Sequence, residues 1–78
     1  MPSDQHTVMW EAKAAPGRDD ELLAFALENA HPDADIYCSP DARVVVIDRT
    51  GTGLPDPPND LLARPVHLWQ FSPVLRSV

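Results

Sequence analysis

The chain is 78 residues long and 44% hydrophobic, a composition typical of one small globular domain, so we treat residues 1–78 as a single unit. It carries 12 acidic and 6 basic side chains, a net charge of −6, and the basic residues are scattered along the sequence. This argues against binding to nucleic acid or to an anionic membrane surface. One cysteine excludes an intrachain disulfide, and no Cys or His spacing is typical of a metal site, so no metal or cofactor is predicted. The first residues lack the basic and apolar regions of a signal peptide, which predicts a cytoplasmic protein.

The first half of the chain predicts one strand followed by one helix. Residues 1–5 are expected to be a disordered N-terminus, and residues 6–13 form the first strand, which ends before the proline and glycine at 16–17. A helix is predicted over residues 18–30, because acidic residues fill its first turn and apolar residues recur along one stripe. Pro32 ends this helix.

The second half predicts three further strands. A turn at Pro40 separates the first two of these strands. Residues 50–58 are rich in glycine and proline and predict a flexible connection, which could act as a lid over a pocket beside the sheet. The predicted elements are a strand over residues 35–39, a strand over 43–49, a helical turn over 60–64 and a strand over 66–74. Cys38 alternates with Ile36 in the first of these strands, which predicts a small buried side chain rather than a nucleophile.

This order of elements is that of an α+β domain of the ferredoxin-like βαββαβ type with a degenerate second helix. Its four-stranded sheet would be antiparallel, with the first and third strands in the middle. Both faces are apolar, since Val44 and Val46 alternate with Val45 and Ile47, yet one helix can cover only one face. We therefore expect a homodimer in which a second copy covers the other face. Burying ~800 Å² per subunit would raise the buried fraction of the surface from about 62% to about 69%.

The first strand and the start of the helix resemble a known family. Residues 7–13, then Pro16-Gly17-Arg18 and an acidic, leucine-rich helix, are similar to the opening of dimeric α+β-barrel proteins of the antibiotic-biosynthesis monooxygenase family. The strand–turn–strand of residues 36–48 and the aromatic last strand fit the same pattern. The resemblance implies a dimeric α+β barrel. The family includes cofactor-independent oxygenases of aromatic polyketides, haem-degrading enzymes and many members with no known activity.

The chain departs from that family at its second helix. Residues 51–58 replace most of the helix, so a pocket here would be smaller or more open. Haem-degrading members carry an Asn on the first strand and a His on the second helix, whereas this chain has Met9-Trp10-Glu11 and Leu61-Leu62-Ala63-Arg64. The resemblance therefore does not extend to haem degradation.

Seven residues are candidates for a functional site. His67 is the candidate general base, and Glu11 or Asp48 could orient its imidazole. The strand register is open, and a pairing of Trp10 with Trp69 would place Ala12 opposite His67. The candidate ligand-binding residues are Trp10, Trp69, Phe71 and Tyr37. The two indoles could stack on a planar aromatic ligand, and Tyr37 could offer its hydroxyl to a ligand or to an interface.

Two functions remain open from these residues. One is an enzyme that binds a hydrophobic, aromatic small molecule, with His67 removing a proton before a cofactor-free reaction with oxygen. The other is a non-catalytic ligand-binding or accessory module, in which the tryptophans are core or interface residues and the acids pair with arginines. An enclosed pocket that holds His67 and a carboxylate favours the enzyme, and a pocket filled by Trp10, Trp69 and Phe71 favours the module.

Overall fold

A computed structural model of the chain describes residues 6–74, so the predicted disordered N-terminus at 1–5 lies outside the described residues. Every predicted element within them is present, and the boundaries differ by at most three residues. The last strand ends earlier than predicted, at Phe71, because Pro73 has no N–H to donate to a neighbouring strand. The elements are β1 (Thr7–Lys13), α1 (Asp19–Asn29), β2 (Asp35–Cys38), β3 (Arg43–Asp48), a 3₁₀ turn (Asn59–Leu61) and β4 (His67–Phe71).

The fold is α+β, with one four-stranded antiparallel open sheet and one helix. The strand order is β2-β3-β1-β4, which confirms the prediction that the first and third strands are central. Along β1 and β4, Trp10 is opposite Leu68 and Glu11 is opposite His67. This register differs by one residue from a pairing of Trp10 with Trp69. Because neighbouring residues of a strand point to opposite faces, the shift places the two indoles on opposite sides of the sheet.

One face of the sheet packs against α1 and contains the core. Small alanine side chains at the contact let the helix approach the sheet closely, and Trp10 fills the space beside them with only 2% of its surface exposed. Arg18 pairs with Glu21 at 2.5 Å and with Asp60 at 3.1 Å, which ties the start of α1 to the 3₁₀ turn. The core residues are Trp10, Ala12, Ala14, Leu22, Ala26, Val44 and Val46.

The opposite face, here called the open face, is covered by no helix or strand of residues 6–74. The strand register gives this face equal numbers of apolar and polar side chains, and several of them are exposed. The apolar ones are Met9, Tyr37, Val45, Ile47, Trp69 and Phe71, and the polar ones are Thr7, Glu11, Lys13, Asp35, Arg43 and His67. The one helix of the described part, with 11 residues, is too short to cross a lipid bilayer.

Candidate functional site

The sheet divides the seven predicted site residues into two groups. Trp10 and Asp48 point to the face that α1 covers, where both are buried. The other five lie on the open face: Glu11, Tyr37, His67, Trp69 and Phe71. The two indoles therefore cannot stack on the same ligand within one chain, and Asp48 cannot orient the imidazole of His67.

A buried carboxylate lies at one end of the open face. Glu11 is only 5% exposed, because Arg64 reaches over it from the segment before β4 and Arg43 reaches it from the start of β3. Arg64 donates from Nη2 to Oε2 at 2.8 Å and from Nη1 to Oε1 at 3.3 Å, a bidentate pair. The Nε of Arg43 lies 3.3 Å from Oε2 of Glu11. With His67, these residues form what we call the Glu11 cluster.

Two partners compete for one ring nitrogen of His67. Its Nδ1 lies 3.3 Å from Nη1 of Arg64 and 3.5 Å from Oε1 of Glu11. When Nδ1 accepts a hydrogen bond from Nη1 of Arg64, the ring is neutral and carries its proton on Nε2. When Nδ1 is protonated, it donates to Glu11. The ring also meets the indole of Trp69 edge to face, with centroids 5.5 Å apart. His67 therefore lies beside a carboxylate, that of Glu11, and Arg64 contacts both residues.

A concavity of about 430 Å³ opens beside this cluster. Its floor is apolar, formed by Met9, Val45 and the Trp69 ring, and its rim is the Glu11 cluster. The volume lies within the range of about 300–1,000 Å³ usual for small-molecule sites. In a single chain the concavity is open to solvent. It brings together Glu11, His67 and Trp69 of the predicted set.

Tyr37 and Phe71 lie outside this concavity and extend the open face on either side. Tyr37 lies on the edge strand β2 opposite Val45, and Phe71 ends β4 opposite Thr7. Their exposed fractions are 57% and 50%. They therefore enlarge the apolar surface around the concavity without lining it.

Asp48 holds the loop that follows β3. Its carboxylate is fully buried and accepts hydrogen bonds from the N–H of Thr50 at 2.8 Å, the hydroxyl of Thr50 at 2.5 Å and the N–H of Gly53 at 3.2 Å. Burial raises the pKa of Asp48, but these hydrogen bonds together outweigh it, so the pKa lies below the ordinary value. Hydrogen bonds from Thr50 and Gly53 therefore tie the segment 50–53 to the end of β3.

That loop borders a second, smaller concavity of about 250 Å³ on the face that carries α1. It lies between Gly51–Leu54 and β4, and Trp10 forms part of its wall. A Cβ at Gly51, where φ is +78°, would approach the carbonyl oxygen of His6 to 3.1 Å, so glycine suits both the backbone angle and the space. Asp48 lines neither concavity.

Two residues of the cluster were not predicted as site residues. Arg43 and Arg64 are separated from Glu11 by 32 and 53 positions, and the sequence does not show which arginine will reach a given carboxylate. The available signal was Glu11 itself, because a carboxylate in a buried strand requires a cationic or hydrogen-bonding partner. Cys38 also differs from its prediction: it is exposed, since it ends the edge strand β2.

Replacing Glu11 with Gln is expected to lower the free energy of unfolding by about 1–2 kcal/mol. The change removes the negative charge that holds two guanidinium groups together, and the partial exposure of both arginines limits the cost. Urea unfolding measures the effect. Glu28→Gln, at an exposed helix position, is the matched control and should change stability by less than about 0.5 kcal/mol. Equal effects of the two substitutions would show that the cluster does not stabilise the fold.

No three His, Cys, Asp or Glu side chains of residues 6–74 come close enough to hold a metal ion. No protein-family model, no curated protein and no solved structure matches the chain.

Proposed function

We propose that this chain forms a homodimer through its open face and binds a planar, aromatic small molecule in the concavity beside the Glu11 cluster. The observation that carries the proposal is the set of apolar side chains left uncovered on the open face: Tyr37, Trp69 and Phe71 are 57%, 42% and 50% exposed. Contiguous exposed apolar patches of this kind mark interaction surfaces. The subunit would be ferredoxin-like and the assembly a dimeric α+β barrel.

The strand order supports this architecture. The order β2-β3-β1-β4, all antiparallel, is the one expected for a ferredoxin-like sheet, with the 3₁₀ turn Asn59–Leu61 in place of the second helix. A second copy is the occupant that suits the open face, because two sheets pack face to face about 10 Å apart and a two-fold axis pairs the same patch on both subunits. A chain of this size also gains from such burial, because a monomer of its mass is expected to bury only about 62% of its surface.

The proposed ligand site lies at the end of that interface. Arg43 and His67 begin their strands, and Arg64 lies just before β4, so the Glu11 cluster is at the strand ends. A facing sheet would cover the open side of the concavity and leave an approach from this end. A planar ring placed there would contact Trp69, Met9 and Val45, which gives the site its preference for aromatic molecules.

Native mass spectrometry of the purified protein tests the proposal directly. We expect a dimer, with a retained organic mass in part of the population. An empty dimer would support the interface and would favour the non-catalytic accessory module over a ligand-binding protein. A stable monomer at micromolar concentration would contradict the proposal.

A second candidate function is catalysis, favoured by the 3.5 Å distance between Nδ1 of His67 and Oε1 of Glu11. With Nδ1–H donated to Glu11, Nε2 is free to take a proton from an acidic methylene of the bound ring system. Molecular oxygen then oxidises the carbanion: one oxygen atom becomes the carbonyl oxygen of the product, and the other leaves as water with the two methylene hydrogens. This mechanism requires that Arg64 no longer donates a hydrogen bond to Nδ1 of His67.

His67→Ala is expected to lower oxygen consumption with such a substrate by about 10²-fold or more, because the base is lost. The KM should change little, since the aromatic floor of the concavity remains. The measurement is oxygen uptake with a polycyclic aromatic that carries an acidic methylene. His31→Ala is the control, because His31 lies between α1 and β2 and is not part of the Glu11 cluster. Equal uptake by the native chain and the His67 variant would remove His67 from the mechanism.

A further inference from the structure

Half of the chain's basic side chains meet at one end of the open face. The sequence has 6 Lys and Arg residues in all, and Lys13, Arg43 and Arg64 come together there. Lys13 is directly opposite Arg43 in the sheet, and the backbone N–H of Ala63 binds the carbonyl of Lys13 at 2.9 Å, which brings Arg64 beside them. This local excess of positive charge stands out in a chain with a net charge of −6.

The acidic side chains at this end of the open face do not cancel its positive charge. Glu11 faces both arginines, and Asp41 lies 3.4 Å from Nε of Arg43. Three positive groups against two negative ones leave one positive charge, and His67 adds to it when protonated. Like charges directly opposite in a sheet, as at Lys13 and Arg43, are destabilising. Asp41, beside Arg43, offsets part of this repulsion.

Arg43 has donors left to offer. Its contacts with Glu11 and Asp41 are ion pairs at Nε, at 3.3 and 3.4 Å, and among residues 6–74 its guanidinium group donates no hydrogen bond. Its side chain is 45% exposed, so these donors are accessible beside the concavity. A terminal guanidinium edge of this kind matches a carboxylate with two parallel hydrogen bonds.

We propose, on the basis of the ligand site proposed above, that its ligand is an aromatic carboxylic acid bound as the carboxylate. The carboxylate lies on Arg43, with Lys13 and Arg64 adding positive potential, and the ring lies on the apolar floor of Met9, Val45 and Trp69. Glu11 is then a counter-ion that fixes the arginines, and its own charge rejects a second anion. A mononucleotide or a polyanion suits the site less well, because only one net positive charge is present.

Titrations with three probes test this assignment: 2-naphthoate, its neutral analogue 2-naphthamide, and acetate. The binding is followed by chemical-shift changes of backbone amides in β1, β3 and β4. We expect 2-naphthoate to bind at least tenfold more tightly than either of the others, because only it has both the ring and the charge. Arg43→Gln should weaken naphthoate binding about tenfold and leave naphthamide binding unchanged.

Arg49→Gln is the matched control, because Arg49 pairs with Asp35 at 2.9 Å and lies outside the cluster. It should bind naphthoate as the native chain does, and Arg43→Gln should keep the native unfolding midpoint within a few degrees, since Arg43 is partly exposed. Equal binding of naphthoate and naphthamide would overturn the preference for an acid and leave the aromatic site standing. Binding of neither probe would overturn both, and equal losses in the two arginine variants would overturn the role of Arg43.

Discussion

Ile47→Glu is expected to convert the protein from a dimer into a monomer. Ile47 lies on the open face between Met9 and Asp35 of the neighbouring strands, away from the Glu11 cluster. In the proposed dimer the new carboxylate is buried without a partner, and symmetry buries it twice. At about 3 kcal/mol for each uncompensated charge, the dimer weakens roughly 10⁴-fold. Sedimentation equilibrium over a range of concentrations measures the change.

Leu27→Glu is the matched control for this experiment. Leu27 is a similarly large aliphatic residue, 62% exposed on the outer side of α1, and the variant adds the same charge to the chain. The control should remain a dimer, which separates burial at the open face from simple repulsion between acidic subunits. If both variants dissociate alike, or if the Ile47 variant stays dimeric, the interface lies elsewhere.

Asp48→Ala is expected to give the largest loss of stability of any substitution discussed for the subunit. The variant leaves the N–H groups of Thr50 and Gly53 without their buried acceptor and frees the loop that borders the smaller concavity. We expect a loss of about 3 kcal/mol, since hydrogen bonds to a charged group are worth about 1.5–3 kcal/mol each and water replaces part of them. For a domain of this length the melting temperature should fall by roughly 12–24 °C. Calorimetry at one fixed protein concentration measures this, because dimerisation also shifts the midpoint.

The same carboxylate gives a pH dependence whose sign follows from its pKa. Hydrogen bonds hold the pKa of Asp48 below the ordinary value despite its burial, so the unfolded chain binds the proton more readily than the folded one. The stabilisation is complete above about pH 4, the ordinary pKa of Asp, and is lost as the pH falls through the lower folded value. Asp48→Asn keeps the shape of the side chain and cannot ionise. The stability difference between the native chain and this variant should therefore shrink below pH 4, and a difference that stays constant to pH 2 would contradict the assignment.

The elements and their inner and outer faces were predictable from the sequence because the physical signals are local. Four β-branched residues in a row, Val44–Ile47, predict β3 and its two apolar faces, and Pro32 predicts the end of α1. The register between strands is not local. Alternation shows that Trp69 and His67 share a face, but only the packed structure shows which face of β1 they join.

The site was predicted only in part for the same reason. The pairing of Glu11 with Arg64 spans 53 positions, and nothing in either residue's neighbourhood identifies the other. The role of Asp48 has a local signal in the sequence. An Asp followed two residues later by Thr is typical of a turn in which the carboxylate accepts a hydrogen bond from the backbone. Asp48 accepts one from the N–H of Thr50 in this way, and another from the N–H of Gly53.

The exposure of the two tryptophans gives the most direct test of the claim that a second copy covers the open face. Trp10 is 2% exposed inside the subunit, and Trp69 is 42% exposed on the open face of a single chain. In acrylamide quenching of tryptophan fluorescence, Trp10 should stay protected, and Trp69 should be quenched more slowly in the native protein at micromolar concentration than in Ile47→Glu. The reason is that the facing sheet leaves Trp69 only the approach at the strand ends. Equal quenching of the native protein and of Ile47→Glu at every concentration would show that the open face is bare in solution, and would contradict the proposed dimer.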